Sequence, residues 1–297
     1  MLYILDYGAG NVASLANSVR SLGVEFKWVE SVEDIEKADK ILFPGVGNFG
    51  SALASLRSKG FAEPLKKYIA SGRPYMGICI GMQALFLSSD ESSELGLGVV
   101  PAHVGIFDNS DKAVPCMGWN GASLVGEGNE YGLDSDSSYY FVHSFRVKYD
   151  EKVEDWALTL TKYGDEVYVS SIQKGNVFAT QFHPEKSGKA GLDVLRRWLE
   201  ADGKLDMSKS VARAMEAVQA DLVRKPFTKR IVACLDVRTN DAGDLVVTKG
   251  DQYDVRESEP SPAPSPLVSP APASFPSTSA TANDESTPPS FDPPSNP

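Results

Sequence analysis

The sequence predicts an α/β protein in which a mostly parallel sheet is covered by helices on both faces. Two observations carry that reading. Short apolar, β-prone runs alternate with stretches of helical periodicity from residue 1 to about residue 203, the pattern of strands joined by crossover helices. Several of these runs end on glycine-containing turns, at Gly8-Ala9-Gly10, at Pro44-Gly45-Val46-Gly47 and around Cys79.

In chain order, Leu2–Leu5 reads as the first strand. Residues 11–22 read as a helix, with apolar side chains at helical spacing. Phe26–Val29 and Lys40–Phe43 are the next strands, and the latter ends at the Pro44–Gly47 turn. Helices are expected at about 51–58 and 64–71, after which the strand Tyr75–Ile78 feeds a turn at Cys79 and a helix beginning with Met82-Gln83-Ala84-Leu85-Phe86-Leu87. Strand density rises between Val99 and Phe182, with runs at Tyr139–Val142, Glu166–Ile172 and Val177–Gln181. Leu192–Leu199 reads as a terminal helix packing back on the sheet. These elements make one domain, residues 1–203.

Beyond it, residues 204–228 are charged and amphipathic, with Val211, Met215, Val218 and Leu222 at helical spacing, and read as a linker helix. Within residues 229–257, Arg230–Val237 opens a new strand, Asp241-Ala242-Gly243-Asp244 a turn and Leu245–Thr248 a return strand. Residues 258–297 hold 12 prolines and 10 serines. Such a segment cannot bury a core, and a disordered tail is expected.

Composition narrows the function classes. A formal charge of −11 argues against nucleic acid or an anionic membrane as partner, since both call for a basic face. No apolar run reaches the roughly 18 residues of a membrane span. The N-terminus turns acidic at Asp6, too soon for a signal peptide. Cys79, Cys116 and Cys234 are odd in number and at no metal-ligand spacing. They fit free thiols in a reducing, cytosolic compartment, with neither metal nor cofactor implied.

The chemistry concentrates in two motifs. In Gly77-Ile78-Cys79-Ile80-Gly81 a thiol sits on a glycine-flanked turn between a strand and a helix. The glycines are expected to permit the sharp turn, and the helix-side amides to activate the thiol and hold an oxyanion. A cysteine after a strand is more often a small core residue, but Thr180-Gln181-Phe182-His183-Pro184-Glu185 supplies a histidine and a carboxylate two positions apart. His183 before a strand-ending proline is presented at the carboxyl edge of the sheet, where open α/β folds place their sites. Glu185 can orient the ring as the third member of a triad. The Pro44–Gly50 loop lacks the pattern of a phosphate loop or a dinucleotide fingerprint. It can offer backbone amides as the second half of an oxyanion hole.

Together, Pro44-Gly45-Val46-Gly47, Gly77–Gln83 and His183-Pro184-Glu185 resemble the class I glutamine amidotransferase family. Asp6-Tyr7-Gly8-Ala9-Gly10-Asn11, Met117-Gly118-Trp119-Asn120, Tyr140-Phe141-Val142-His143-Ser144 and Pro184-Glu185-Lys186-Ser187 further resemble the glutaminases of the imidazole glycerol phosphate synthases. Lys229–Val237 is similar to the first strand of their cyclase barrel, in the order of the fused fungal and plant form. The resemblance implies a flavodoxin-like three-layer sandwich acting on L-glutamine, with Cys79, His183 and Glu185 as catalytic triad. It implies an oxyanion hole at Val46, Gly47 and Ile80, and glutamine contacts from Gln83, His143 and Ser144. Asn11, Trp119, Tyr139 and Lys186 match positions facing a cyclase (β/α)8 barrel, in cis or in trans, which would use the ammonia in histidine synthesis.

One departure stands out. A (β/α)8 barrel takes about 250 residues, and residues 231–297 hold far fewer. The expectation is a cyclase truncated after its first strands, with Asp236 a vestigial cyclase acid. The alternatives are a silent fragment that only docks to a cyclase, and a different Cys/His hydrolase on the same scaffold.

Overall fold

The computed structural model describes residues 1–8, 12–45, 47–125 and 129–201, together with the backbone of two short strands at 236–239 and 245–248. The first half alternates as expected: β1 (Leu2–Ile4), α1 (Val12–Ser21), β2 (Phe26–Trp28), α2 (Val32–Lys37), β3 (Lys40–Phe43), α3 (Phe49–Ser58), α4 (Ala62–Ala70) and β4 (Tyr75–Ile78). Then come a one-turn helix α5 (Ile80–Gln83), β5 (Phe86–Ser89), β6 (Val100–Ile106), β7 (Cys116–Gly121), β8 (Ser123–Leu124), β9 (Ser138–His143), β10 (Phe145–Lys148), β11 (Ala157–Tyr163), β12 (Glu166–Lys174) and β13 (Val177–Thr180). A 3-10 turn (Pro184–Lys186) and α6 (Gly188–Glu200) follow.

The main sheet has the order β2-β1-β3-β4-β13-β12-β10-β6-β5. The five strands from β2 to β13 are mutually parallel, and β12 and β10 join antiparallel. Alternation along each strand sorts side chains onto two faces. Tyr3, Ile41, Phe43 and Tyr75 pack with Phe49, Leu53, Leu65 and Tyr68 of α3 and α4. Leu2, Ile4, Leu42, Met76 and Ile78 pack with Leu15 and Val19 of α1 and with Val194, Leu195 and Trp198 of α6. These two cores on either side of one sheet make the three-layer sandwich.

Local signals explain several boundaries. Ser31 and Asp34 form a reciprocal capping box at α2. Asn48 caps α3 by accepting the Ser51 amide at 3.0 Å, starting that helix two residues before the periodicity does. Lys40 closes α6 by donating to the Trp198, Leu199 and Ala201 carbonyls. The largest departure follows Cys79. The expected helix from Met82 lasts one turn, because the carbonyls of Ala84, Leu85, Phe86 and Leu87 are taken by amides of residues 96–100. The apolar run continues as β5, paired parallel with β6.

A second unit, Ala233–Pro297, is described only through β14 (Asp236–Thr239) and β15 (Leu245–Thr248). They pair antiparallel with Val237 opposite Val247, a hairpin register. The linker helix expected at 204–228 and the tail at 258–297 lie outside the described residues. No described helix is long and apolar enough to cross a membrane.

Candidate active site

Because β3, β4 and β13 run parallel and adjacent, their carboxyl ends open at one edge of the sheet. Phe43 is in register with Gly77, and Ile78 with Thr180. The residues that follow each strand therefore emerge side by side, and the Cys79 amide donates to the Thr180 carbonyl at 2.7 Å.

Cys79 has φ 52° and ψ −102° and is the non-glycine residue with positive φ among the described residues. Backbone there is strained for any side chain bearing a Cβ. The sequence suggested that the flanking glycines make this turn; instead the cysteine itself carries the unusual backbone. The glycines are required for close approach. A Cβ on Gly77 would strike the Gly81 carbonyl, one on Gly81 the Phe43 carbonyl, and one on Gly45 the Ile80 side chain. The nucleophile turn is thus pressed against the end of β3.

His183 reaches the same point from β13, its amide donating to Tyr140 at 2.9 Å. Its Nδ1 lies 2.8 Å from Glu185 Oε1, with the two side chains 1% and 6% exposed. A carboxylate only accepts, so Nδ1 carries the proton and Nε2 is left to face Cys79. Burial, the largest influence, favours the neutral ring. The Cys79 sulfur and the Glu185 carboxylate together outweigh it and push the His183 pKa up to about 9.

A cavity of about 410 Å³ opens over the sulfur. Gly47, Ile80, Gln83, His143, Ser144 and Lys186 line it beside Cys79 and His183. The Gln83 carboxamide donates to the Phe145 carbonyl at 3.2 Å and to Gln181 Oε1 at 2.9 Å. His143 donates from Nδ1 to the Phe145 carbonyl at 2.8 Å. Burial among Phe107, Phe141 and Tyr168 pulls its pKa down to about 4, so this ring is neutral and presents Nε2 as an acceptor.

Other expected positions fall differently. Val46 and Asn11 lie outside the described residues, and of Asp236 only the backbone in β14 is described. Trp119 on β7 packs edge-on to Tyr140 on β9 with ring centroids 6.0 Å apart, and Lys186 sits over the same tyrosine. Tyr139 does not join them. It is fully buried, stacked on Phe182 at 4.4 Å, with its hydroxyl accepting from the Asp134 amide at 2.9 Å. Alternation along β9 puts Tyr139 inward and Tyr140 outward, so Tyr140 is the residue that accompanies Trp119 and Lys186.

Sequence reasoning also missed Glu91 and Gln181. Glu91 lines the cavity and is held by the Phe49 amide at the start of α3, at 2.7 Å. Nothing local in the sequence marks it, since it follows the unexpected β5. Gln181 is fully buried and donates to Cys79 Sγ at 3.5 Å. A polar residue inside an apolar strand end was the available signal.

A family model described as "Glutamine amidotransferase class-I" matches residues 3–200. The chain belongs to the class I glutamine amidotransferase family. Among curated relatives of this amidotransferase, "Imidazole glycerol phosphate synthase hisHF" of Emericella nidulans is 46% identical over 267 residues, 87% of this chain and 47% of that protein. The protein of the same name in Schizosaccharomyces pombe is 49% identical over 259 residues, 86% of this chain and 47% of that protein. The amidotransferase chain thus spans about half the length of these fungal relatives. "Imidazole glycerol phosphate synthase subunit HisH" of Methanothermobacter thermautotrophicus is 42% identical over 201 residues, 67% of this chain and 98% of that protein. A solved structure titled "Crystal structure of glutamine amidotransferase" superposes with a TM-score of 0.53 at 22% identity, covering 68% of this chain and 99% of its own, a likeness of fold.

Proposed function

We propose that this chain hydrolyses the side-chain amide of L-glutamine, as the glutaminase of an imidazole glycerol phosphate synthase. The observation that carries the reading is the strained Cys79 beside the buried His183–Glu185 pair, at the base of a cavity lined by polar groups. Cys79 Sγ gives its proton to His183 Nε2 and attacks the amide carbon. The tetrahedral oxyanion is held by the amide of Ile80, at the start of α5, and by those of Val46 and Gly47. His183 then protonates the leaving nitrogen, and ammonia departs from a glutamyl thioester. Water, deprotonated by His183, attacks the thioester and releases glutamate and the thiol. Gln83, His143 and Ser144 orient the substrate, and Glu91 faces its ammonium group.

The ammonia is passed to a cyclase (β/α)8 barrel, for which residues 229–257 are the opening segment and residues 1–203 the glutaminase domain. The fungal similarity runs over 267 residues, past the end of the amidotransferase match at residue 200, and supports this division. The face around Trp119, Tyr140 and Lys186 meets the barrel beside the cavity mouth. The test is glutamate release from glutamine with and without a separately supplied cyclase barrel. Hydrolysis that rises with the barrel and disappears in Cys79→Ser supports the reading. Hydrolysis that survives Cys79→Ser, or binding to the barrel with no hydrolysis at all, refutes it.

A further inference from the structure

The fully buried carboxamide of Gln181 touches the nucleophile, and its polarity is fixed by the chain itself. The Phe145 carbonyl can only accept, so the Gln83 side chain must present its NH2 to it. The second hydrogen of that NH2 goes to Gln181, which must therefore present Oε1. Gln181 is left with its own NH2 pointing at Cys79 Sγ, 3.5 Å away. One backbone carbonyl on β10 thus dictates a donor at the sulfur through two buried amides.

We propose that Gln181 is a positioning residue for Cys79, donating to Sγ so as to hold the nucleophile's rotamer and stabilise it as the thiolate. The proposal deepens the glutaminase reading and rests on it for the use of the thiolate. The chain also connects substrate to nucleophile. Gln83 Oε1 is buried in the cavity wall without a protein partner. A ligand donating to it strengthens the Gln83 and Gln181 donors in turn, since hydrogen bonds in series polarise one another. The other charged or titratable groups around the sulfur are His183, with Glu185 behind it, and Glu91, His143 and Lys186 across the cavity. They are unchanged in the variants below.

The test reads the thiol directly, not turnover. Iodoacetamide labelling of Cys79 is followed by peptide mass spectrometry from pH 5 to pH 10 in the full chain, for wild type, Gln181→Glu and Gln181→Met. Both variants keep the length of the side chain, and Gln181→Glu keeps the acceptor for Gln83. A hydrogen bond to a charged acceptor is worth about a tenfold population change. Labelling near pH 7 should therefore fall about tenfold in both variants, while the plateau rate at pH 10 stays within about twofold of wild type. A residue that merely filled space would leave the Gln181→Met profile where it was, whereas the carboxylate of Gln181→Glu repels a thiolate in either case. A wild-type profile in the folded Gln181→Met variant overturns the proposal. If Gln181→Met does not fold, the side-chain NH2 signals of glutamines in the wild-type protein decide. One should shift with pH in step with Cys79 labelling and lose that shift once Cys79 is alkylated; a set of signals indifferent to both overturns it. Because labelling needs no glutamine, a wild type that labels as described but does not hydrolyse glutamine would sink the glutaminase reading and leave this one standing.

Discussion

Replacing Cys79 by glycine should make the protein more stable than replacing it by alanine. Both substitutions delete the sulfur, and with it the contacts to Gln181 and His183, so their difference isolates the backbone. With φ 52° and ψ −102° the residue is far in ψ from the left-handed helical well that non-glycine residues occasionally occupy. Its strain belongs in the upper part of the roughly 1–3 kcal/mol range for such sites. Two terms oppose the gain. Glycine loses more freedom on folding, about 0.4–1 kcal/mol, and the alanine methyl buries apolar area worth about 0.8 kcal/mol. A net advantage of about 1 kcal/mol for glycine remains, which in a domain of this size raises Tm by about 2–4 °C. Thermal melting at neutral pH and urea titration of the two variants measure it side by side. An alanine variant as stable as the glycine variant, or more so, would refute the reading of Cys79 as strained.

Gly81→Ala should destabilise by about 3 kcal/mol, because the new methyl meets the Phe43 carbonyl on an interior strand that cannot yield; a melting curve within about 1 kcal/mol of wild type contradicts this. Stability should peak near pH 6.5. His143, whose folded pKa is depressed to about 4, resists protonation that the unfolded chain accepts, so stability falls as pH drops from about 6.5 towards 4. His183, raised to about 9, contributes stability that is complete below about 6.5 and lost as pH rises through 9. Urea midpoints from pH 4 to pH 10 should show both limbs, and His143→Phe should flatten only the acid one. Tyr140→Ala should weaken binding to a cyclase barrel at least tenfold with little effect on Tm, whereas Tyr139→Ala should cost about 3–5 kcal/mol of stability. The opposite assignment of effects would restore Tyr139 as the docking residue.

What the sequence disclosed, and what it hid, follows from the range of the interactions. The parallel half of the sheet was legible because short continuous apolar runs and helical spacings are local properties, and the triad because His183 and Glu185 lie in one short motif. The fate of residues 84–89 was not legible. Taken locally they continue a helix, and only the amides of residues 96–100 draw them into β5. Glu91 was hidden by the same event. The role of the glycines around Cys79 was misjudged because glycine signals both positive φ and close approach, and only the position of the Phe43 carbonyl separates the two. Tyr139 and Tyr140 are chemically alike neighbours, and which of them faces outward is set by the β7–β9 pairing.

The buried polar atoms that lack a protein partner say what kind of ligand the site awaits. Gln83 Oε1, His143 Nε2 and Glu185 Oε2 are among them, gathered at one end of the sheet. Each such atom left unpaired costs on the order of 1–3 kcal/mol, which a fold tolerates only where something else repays it. All three are acceptors: His143 donates from Nδ1 to the Phe145 carbonyl, Gln83 has turned its NH2 away, and Glu185 is a carboxylate. Of the three, Gln83 and His143 line the cavity, and Glu91 adds a carboxylate there. A wall so rich in acceptors calls for a ligand rich in N–H and O–H donors. An amino acid with an ammonium group at one end and a primary amide at the other meets that demand. At the sulfur, the Gln181 NH2 adds a donor 3.5 Å away beside that of protonated His183.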